Sequence, residues 1–203
     1  MVDNSDAEIV KGLVQADRER YITMIGDLVR LSKDGSEPVQ NLVAEWLREM
    51  DCEVNVVSEA FGDLSEEVRS AELLDPTVTD MNPHANVIGT CSGSGDGRSI
   101  ILFAHADSPP PSGTENWTYP PFEPKSADGR LYGWGIADDK SGVVAMVAAL
   151  DVVIKAKGKP AGDVVIVSCV SKNRTRGMVV ALAHGIKGDG CLYLHPAESG
   201  DGL

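Results

Sequence analysis

From residue 86 to residue 194 strand-length apolar runs alternate with helix-length ones, and no other feature of the chain limits its folding as tightly. Asn86 to Cys91, Ser99 to Ala104, Asp163 to Val170 and Cys191 to Leu194 are the short runs, while Ser141 to Ala156 and Gly177 to His184 read as helices. A strand that is apolar on both faces must be covered on both, and strands separated by helices pair in parallel. The alternation predicts an α/β fold, a mainly parallel mixed sheet with helices on both faces. The glycine-rich stretch Gly93 to Gly97 has no following helix and no Lys-Ser/Thr pair, so it reads as the turn of a hairpin joining the first two strands, not as a phosphate loop. Residues 105–126, rich in Pro, Ser and Thr, form a loop, and Asp128-Gly129 turns the chain into a short strand at Arg130 to Tyr132.

The first eighty residues are helical, then acidic. Ile9, Leu13, Ile22, Ile25, Leu28 and Val29 fall at helical spacing, predicting one amphipathic helix over 6–31. Pro38 opens a second helix in which Val39, Leu42, Val43, Trp46, Leu47 and Met50 share a core-facing stripe. Glu53 to Val57 alternates as a strand, and the acidic stretch 58–82 is expected to be a surface excursion or an insertion.

Charge narrows the function. With 31 acidic against 18 basic residues the net charge is −13, which repels phosphate backbones and anionic headgroups, so neither nucleic acid nor a membrane is an expected partner. The apolar run Val143 to Leu150 is far short of the roughly 20 residues that span a bilayer. The start, Met1 to Glu8, lacks the basic and apolar regions of a signal peptide, and a cytoplasmic location is expected. Cys52, Cys91, Cys169 and Cys191 form no CxxC pair and read as buried free thiols.

Open α/β sheets bind ligands beyond the carboxyl ends of their strands, here after Ala104, Val170 and Leu194. The first of these ends runs into His105-Ala106-Asp107. Residues i and i+2 of an extended segment point the same way, so the Asp107 carboxylate can fix the His105 tautomer and leave the other ring nitrogen for a metal. A second acidic element, Asp138-Asp139, opens the apolar helix; Asp139 reads as the helix cap, with Asp138 pointing into the site.

The run His105-Ala106-Asp107-Ser108-Pro109-Pro110, the element Tyr132-Gly133-Trp134-Gly135-Ile136-Ala137-Asp138-Asp139-Lys140-Ser141-Gly142 and the helix and strand that follow resemble the amino-terminal half of a metallopeptidase and deacylase family. That family contains acetylornithine deacetylase, succinyl-diaminopimelate desuccinylase, aminoacylase and carboxypeptidase G. The resemblance implies that His105 binds a metal, that Asp107 orients it and that Asp138 is the ligand that bridges two metals in relatives. The adjacent Glu-Glu pair of the family, a general base and a second-metal ligand, falls on Ser171 and Lys172, or with a one-residue shift includes Asn173. The Gly-Glu-Pro-Thr motif, source of the remaining first-metal ligand, falls on Leu194-His195-Pro196-Ala197-Glu198, where either His195 or Glu198 is a competent ligand and Glu198 preserves the carboxylate type. Trp134 stands where relatives usually carry Arg.

On this resemblance the candidate catalytic residues are Asp107, Ser171 and Lys172, and the candidate metal ligands are His105, Asp138, Glu198 and His195. One divalent transition metal, Zn, Mn or Co, is expected per site, with Lys172 either a fixed positive charge in place of the second ion or a solvated loop lysine. The expected activity is hydrolysis of a non-peptide C–N bond in a small carboxylate-bearing substrate, either a specialised amide or an amine on an electron-poor aromatic ring, as in 5-nitroanthranilate aminohydrolase. A peptidase or N-acyl amino acid deacylase of the same family, or a noncatalytic binding relative, is the alternative. Residues 1–203 would be the amino-terminal part of the catalytic domain, without the inserted dimerisation domain and the carboxy-terminal part. The expected partners are accordingly a carboxy-terminal fragment of the same protein and further copies in a homo-oligomer.

Overall fold

A computed structural model describes residues 4–69, 83–170 and 176–195. Three helices lead, α1 (Asn4–Ala16), α2 (Arg18–Leu31) and α3 (Ser36–Glu49), followed by β1 (Glu53–Glu59) and the single turn α4 (Glu66–Arg69). Then come β2 (His84–Cys91), β3 (Ile100–His105), β4 (Lys125–Ala127), β5 (Arg130–Tyr132), α5 (Ser141–Lys157), β6 (Val164–Cys169), α6 (Arg176–Ala183) and β7 (Gly190–Tyr193). The main sheet has the order β1-β2-β6-β3-β7, and β4 and β5 form a separate ribbon. β6 and β7 flank β3 in parallel, while β1 and β6 flank β2 in antiparallel fashion. The sheet is mixed, and its parallel part is the end that carries β3.

The continuous apolar character of β6 is explained by two cores. Ile166 faces α2, α3 and α5, together with Val87, Leu102 and Ala104, whereas Val165, Val167 and Cys169 face α6 through Met178 and Ala181. Helices therefore cover both faces, as the apolar runs predict. Ser168 is the polar exception on β6, and it is satisfied by Gln40 of α3. The Ser168 hydroxyl donates to Gln40 Oε1 at 2.7 Å, and Gln40 Nε2 donates to the carbonyls of Ser168 and Ala85. Leaving those groups buried and unpaired would cost about 1–3 kcal/mol each.

Three local expectations change. The hairpin between β2 and β3 does not form, because β6 lies between them. The glycine-rich turn instead holds the segment that enters β6: Gly93 N–H donates to Asp163 Oδ1 at 2.8 Å, and Ser94 and Gly95 N–H donate to the carbonyls of Pro160 and Ala161. The single helix over 6–31 is two, broken at Asp17, whose carboxylate is taken by Lys155 of α5. Part of the acidic excursion is built in: β1 runs on to Glu59, and Leu64 is buried against Val179 and Val180 of α6. Residues 70–82 lie outside the described residues. Trp46 is partly buried against the main core. The thiols are free, with Cys52, Cys91 and Cys169 buried and Cys191 exposed. No helix among the described residues is long and apolar enough to cross a membrane.

Candidate metal centre

Parallel register brings two histidines to one end of the sheet. Phe103 pairs with Tyr193, Leu194 N–H donates to the Phe103 carbonyl at 2.9 Å, and His105 and His195 therefore emerge side by side with ring centroids 5.9 Å apart. The segment Ile136–Lys140, which leads into α5, delivers Asp138 between them. Asp138 Oδ1 lies 3.0 Å from His105 Nε2 and 3.1 Å from His195 Nε2. Among the described residues these three form a group whose ligand atoms all lie within 4.8 Å of one another. Tetrahedral ligands at zinc distances stand about 3.3 Å apart, so the spacing fits a shared cation.

The proton count points the same way. The other nitrogen of His105, Nδ1, is 3.1 Å from the Asp107 carbonyl and 3.6 Å from the Asp107 carboxylate. Donation from Nδ1 to that carbonyl leaves the Nε2 lone pair facing the Asp138 carboxylate oxygen, a repulsive contact unless a proton or a cation sits between them. Burial opposes a charge on His105, but the Asp107 carboxylate, Asp139 and the Asp107 carbonyl together outweigh it, and the pKa is raised. The His105 side chain is 5% exposed, whereas those of Asp138 and His195 are 40% and 34% exposed, so the centre opens to solvent on their side. The donor set of two imidazoles and a carboxylate is the set that divalent Zn, Mn or Co accepts.

Beneath this group lies a second, buried tier. Asp139 is not the helix cap: α5 has no side-chain cap, and Asp139 is fully buried, accepting the His105 N–H on Oδ2 at 3.3 Å. Its Oδ1 is buried without a hydrogen-bond partner among the described residues. Burial pushes its pKa up to about 6 against the opposing pull of the two histidines. Gly142 permits this arrangement, since a Cβ there would run into Asp139 Oδ1 and the Leu194 carbonyl. Lys140, also fully buried, donates to Ser108 Oγ at 3.0 Å; burial lowers its pKa to about 8 although Asp107 and Asp138 favour the charged form.

Of the residues singled out in the sequence, His105, Asp107, Asp138 and His195 come together, while Ser171, Lys172, Asn173 and Glu198 lie outside the described residues. Asp139, Lys140 and Ser108 were missed as parts of the site. The available signal was an Asp-Asp-Lys run at the mouth of an otherwise apolar helix, which marks the place but not the burial of these side chains. Trp134 is half-buried: its indole N–H donates to the Pro109 carbonyl at 2.7 Å, and its ring lies 5.3 Å from that of Trp117.

Residues 101–199 match peptidase family M20/M25/M40. The succinyl-diaminopimelate desuccinylase of Psychromonas ingrahamii is 46% identical over 71 residues, 34% of this chain and 19% of that protein. The desuccinylase of a Janthinobacterium species is 32% identical over 140 residues, 64% of this chain and 37% of that protein. The M20 family metallo-carboxypeptidase of Sulfolobus solfataricus superposes with a TM-score of 0.61 at 14% identity, over 85% of this chain and 36% of that one. The chain thus spans well under half the length of these relatives, and the structural likeness shows the fold.

Proposed function

Starting from the membership of this chain in peptidase family M20/M25/M40, we propose that it is the amino-terminal part of the catalytic domain of a metal-dependent hydrolase. The bond cleaved is a C–N bond in a small, carboxylate-bearing substrate. His105, Asp138 and His195 hold one divalent ion, Zn, Mn or Co. The observation that carries this reading is the convergence of two imidazole nitrogens on one carboxylate oxygen, at 3.0 and 3.1 Å, at the carboxyl ends of the parallel strands β3 and β7. Charge supports a single ion: Asp107, Asp138 and Asp139 with one lysine, Lys140, leave two negative charges among these four neighbours.

Bound there, a divalent ion supplies Lewis acidity that polarises a carbonyl and lowers the pKa of water toward 7. The chain's own residues set the conditions. Asp107 fixes the His105 tautomer through its carbonyl, leaving Nε2 free to bind. Asp139 anchors the His105 backbone, and the exposed side of Asp138 and His195 leaves an approach for substrate. Under the same proposal, the remainder of the site and assembly into a homo-oligomer belong to a carboxy-terminal part of the protein.

The desuccinylase relatives favour an amide as the bond cleaved. A second reading, replacement of an aryl amine by hydroxyl on an electron-poor ring, is favoured by residues 170–176, which contain Lys172, Arg174 and Arg176 and no carboxylate to act as base. Zinc-, manganese- and cobalt-loaded protein assayed against N-succinyl and N-acyl amino acids, dipeptides and 5-nitroanthranilate separates them. Metal-dependent release of succinate or an amino acid supports the first reading, and ammonia release from the ring the second. Absence of turnover from all of them by the assembled, metal-loaded protein would overturn both and leave a binding protein.

A further inference from the structure

We propose that Lys140 and Ser108 form a buried positioning relay that holds Asp138 in place for the metal; this rests on the metal reading above. Lys140 is the largest fully buried side chain among the described residues, and its Nζ donates to Ser108 Oγ at 3.0 Å. The Ser108 hydroxyl in turn donates to the Asp138 backbone carbonyl at 3.2 Å. Ammonium, hydroxyl and carbonyl are thus arranged donor to acceptor in one direction, and the single hydroxyl proton is used once.

The position of each member gives the relay its purpose. Asp138 and Asp139 depart from helical geometry, so the Asp138 carbonyl lies outside the regular ladder of α5 and takes its bond from Ser108 instead. Ser108 lies three residues beyond His105, so the same hydroxyl ties the loop leaving the first ligand to the backbone of the second. Lys140 N–H closes back onto the Gly135 carbonyl at 3.0 Å, wrapping the segment around the Ser108–Lys140 contact. Gly135, at φ 70°, makes room for it, because a Cβ there would collide with Ser108 Oγ. A methionine would fill the same volume without burying a charge. What only the lysine supplies is an ammonium close to Asp107 and Asp138 and a donor to the serine. Neither Lys140 nor Ser108 is among the three grouped ligands, His105, Asp138 and His195; they act through Asp138.

The test uses Ser108→Ala, Lys140→Met and the double variant of the intact protein, with two readouts. One is zinc affinity by competition with a chromophoric chelator. The other is the imidazole nitrogen resonances of His105 and His195 in metal-free protein. Each single variant should bind zinc at least about tenfold more weakly, the scale of outer-shell changes. The double variant should be no worse than the weaker single, because both cut one chain. The His105 Nε2 resonance should move in each. Zinc affinity within twofold of wild type with unmoved imidazole resonances, even alongside a lowered melting temperature, would overturn the relay. If wild type itself binds no zinc, the metal reading falls while the resonances still decide the relay. If Lys140→Met does not fold, Ser108→Ala, which removes one oxygen, decides alone.

Discussion

Replacing Gly142 by alanine sets two effects of known size against each other. In a helix the change normally stabilises by about 1 kcal/mol, because glycine gives up more backbone freedom on folding. At Gly142 the new methyl would strike the Leu194 carbonyl and the Asp139 carboxylate, with the Asp139 Cγ only 2.8 Å away. A backbone carbonyl cannot rotate out of the way, so α5 and the end of β7 must separate. Forced overpacking of this kind costs about 1–3 kcal/mol, and with two groups struck the upper end applies. The net loss is about 2 kcal/mol, a fall in melting temperature of about 4–8 °C for a chain of this size. Gly12, exposed in α1 with nothing within 4 Å of its added Cβ, supplies the matched control. Gly12→Ala should gain about 0.5–1 kcal/mol. Calorimetry of both variants tests the pair. Because Leu194 precedes His195, Gly142→Ala should also weaken zinc binding, which Gly12→Ala leaves unchanged. A Gly142→Ala protein as stable as wild type would refute the close approach of α5 to Leu194.

Other outcomes follow from the same contacts. His195→Ala should weaken zinc binding at least about 100-fold, whereas His184→Ala, which removes an exposed partner of Glu59, should leave it within twofold in the same titration. Saturating zinc at about 100 times its Kd should stabilise the metal-free protein by about 2.7 kcal/mol, read as a rise in melting temperature that a chelator reverses. Asp151 joins α2 to α5 by accepting from Tyr21, Arg20 and Lys155, each at 2.8 Å. Burial would raise its pKa, but Lys155, Tyr21 and Arg20 together hold it below the usual value. That stability is therefore complete above about pH 4 and is lost as the pH falls through the depressed value. Asp151→Asn should cost about 1 kcal/mol near pH 7, the exposure of Arg20 and Lys155 limiting the figure, and the gap from wild type in urea unfolding should close toward pH 2.

The two-sided apolar strands made the layers legible, since only a covered sheet tolerates Asp163 to Val170. Strand order was not legible. By its neighbours in sequence Gly93 to Gly97 is a hairpin turn, whereas its backbone N–H groups bond the Pro160–Asp163 segment, a pairing that periodicity does not encode. At the site, His105 and Asp138 were readable because motif and strand end coincide. Asp139 was not, because an acid at a helix start has a ready local role as cap, and only the packing of α5 against Leu194 shows that it is buried there. Lys140 was opaque for a related reason, as a lysine at the start of a helix ordinarily reaches water.

The strand order also sets a timetable for synthesis. Both neighbours of β3, β6 and β7, lie downstream of it in the chain, so on the ribosome Ile100–His105 has no partner until Cys169 has been made. At about 5–20 residues per second that wait lasts about 3–13 s. For its duration Ile100-Ile101-Leu102-Phe103-Ala104, uncharged and rich in residues that favour strands, is available to any other unpaired edge. A nascent chain stalled before residue 164 is therefore the form of this protein most exposed to aggregation and most in need of a chaperone.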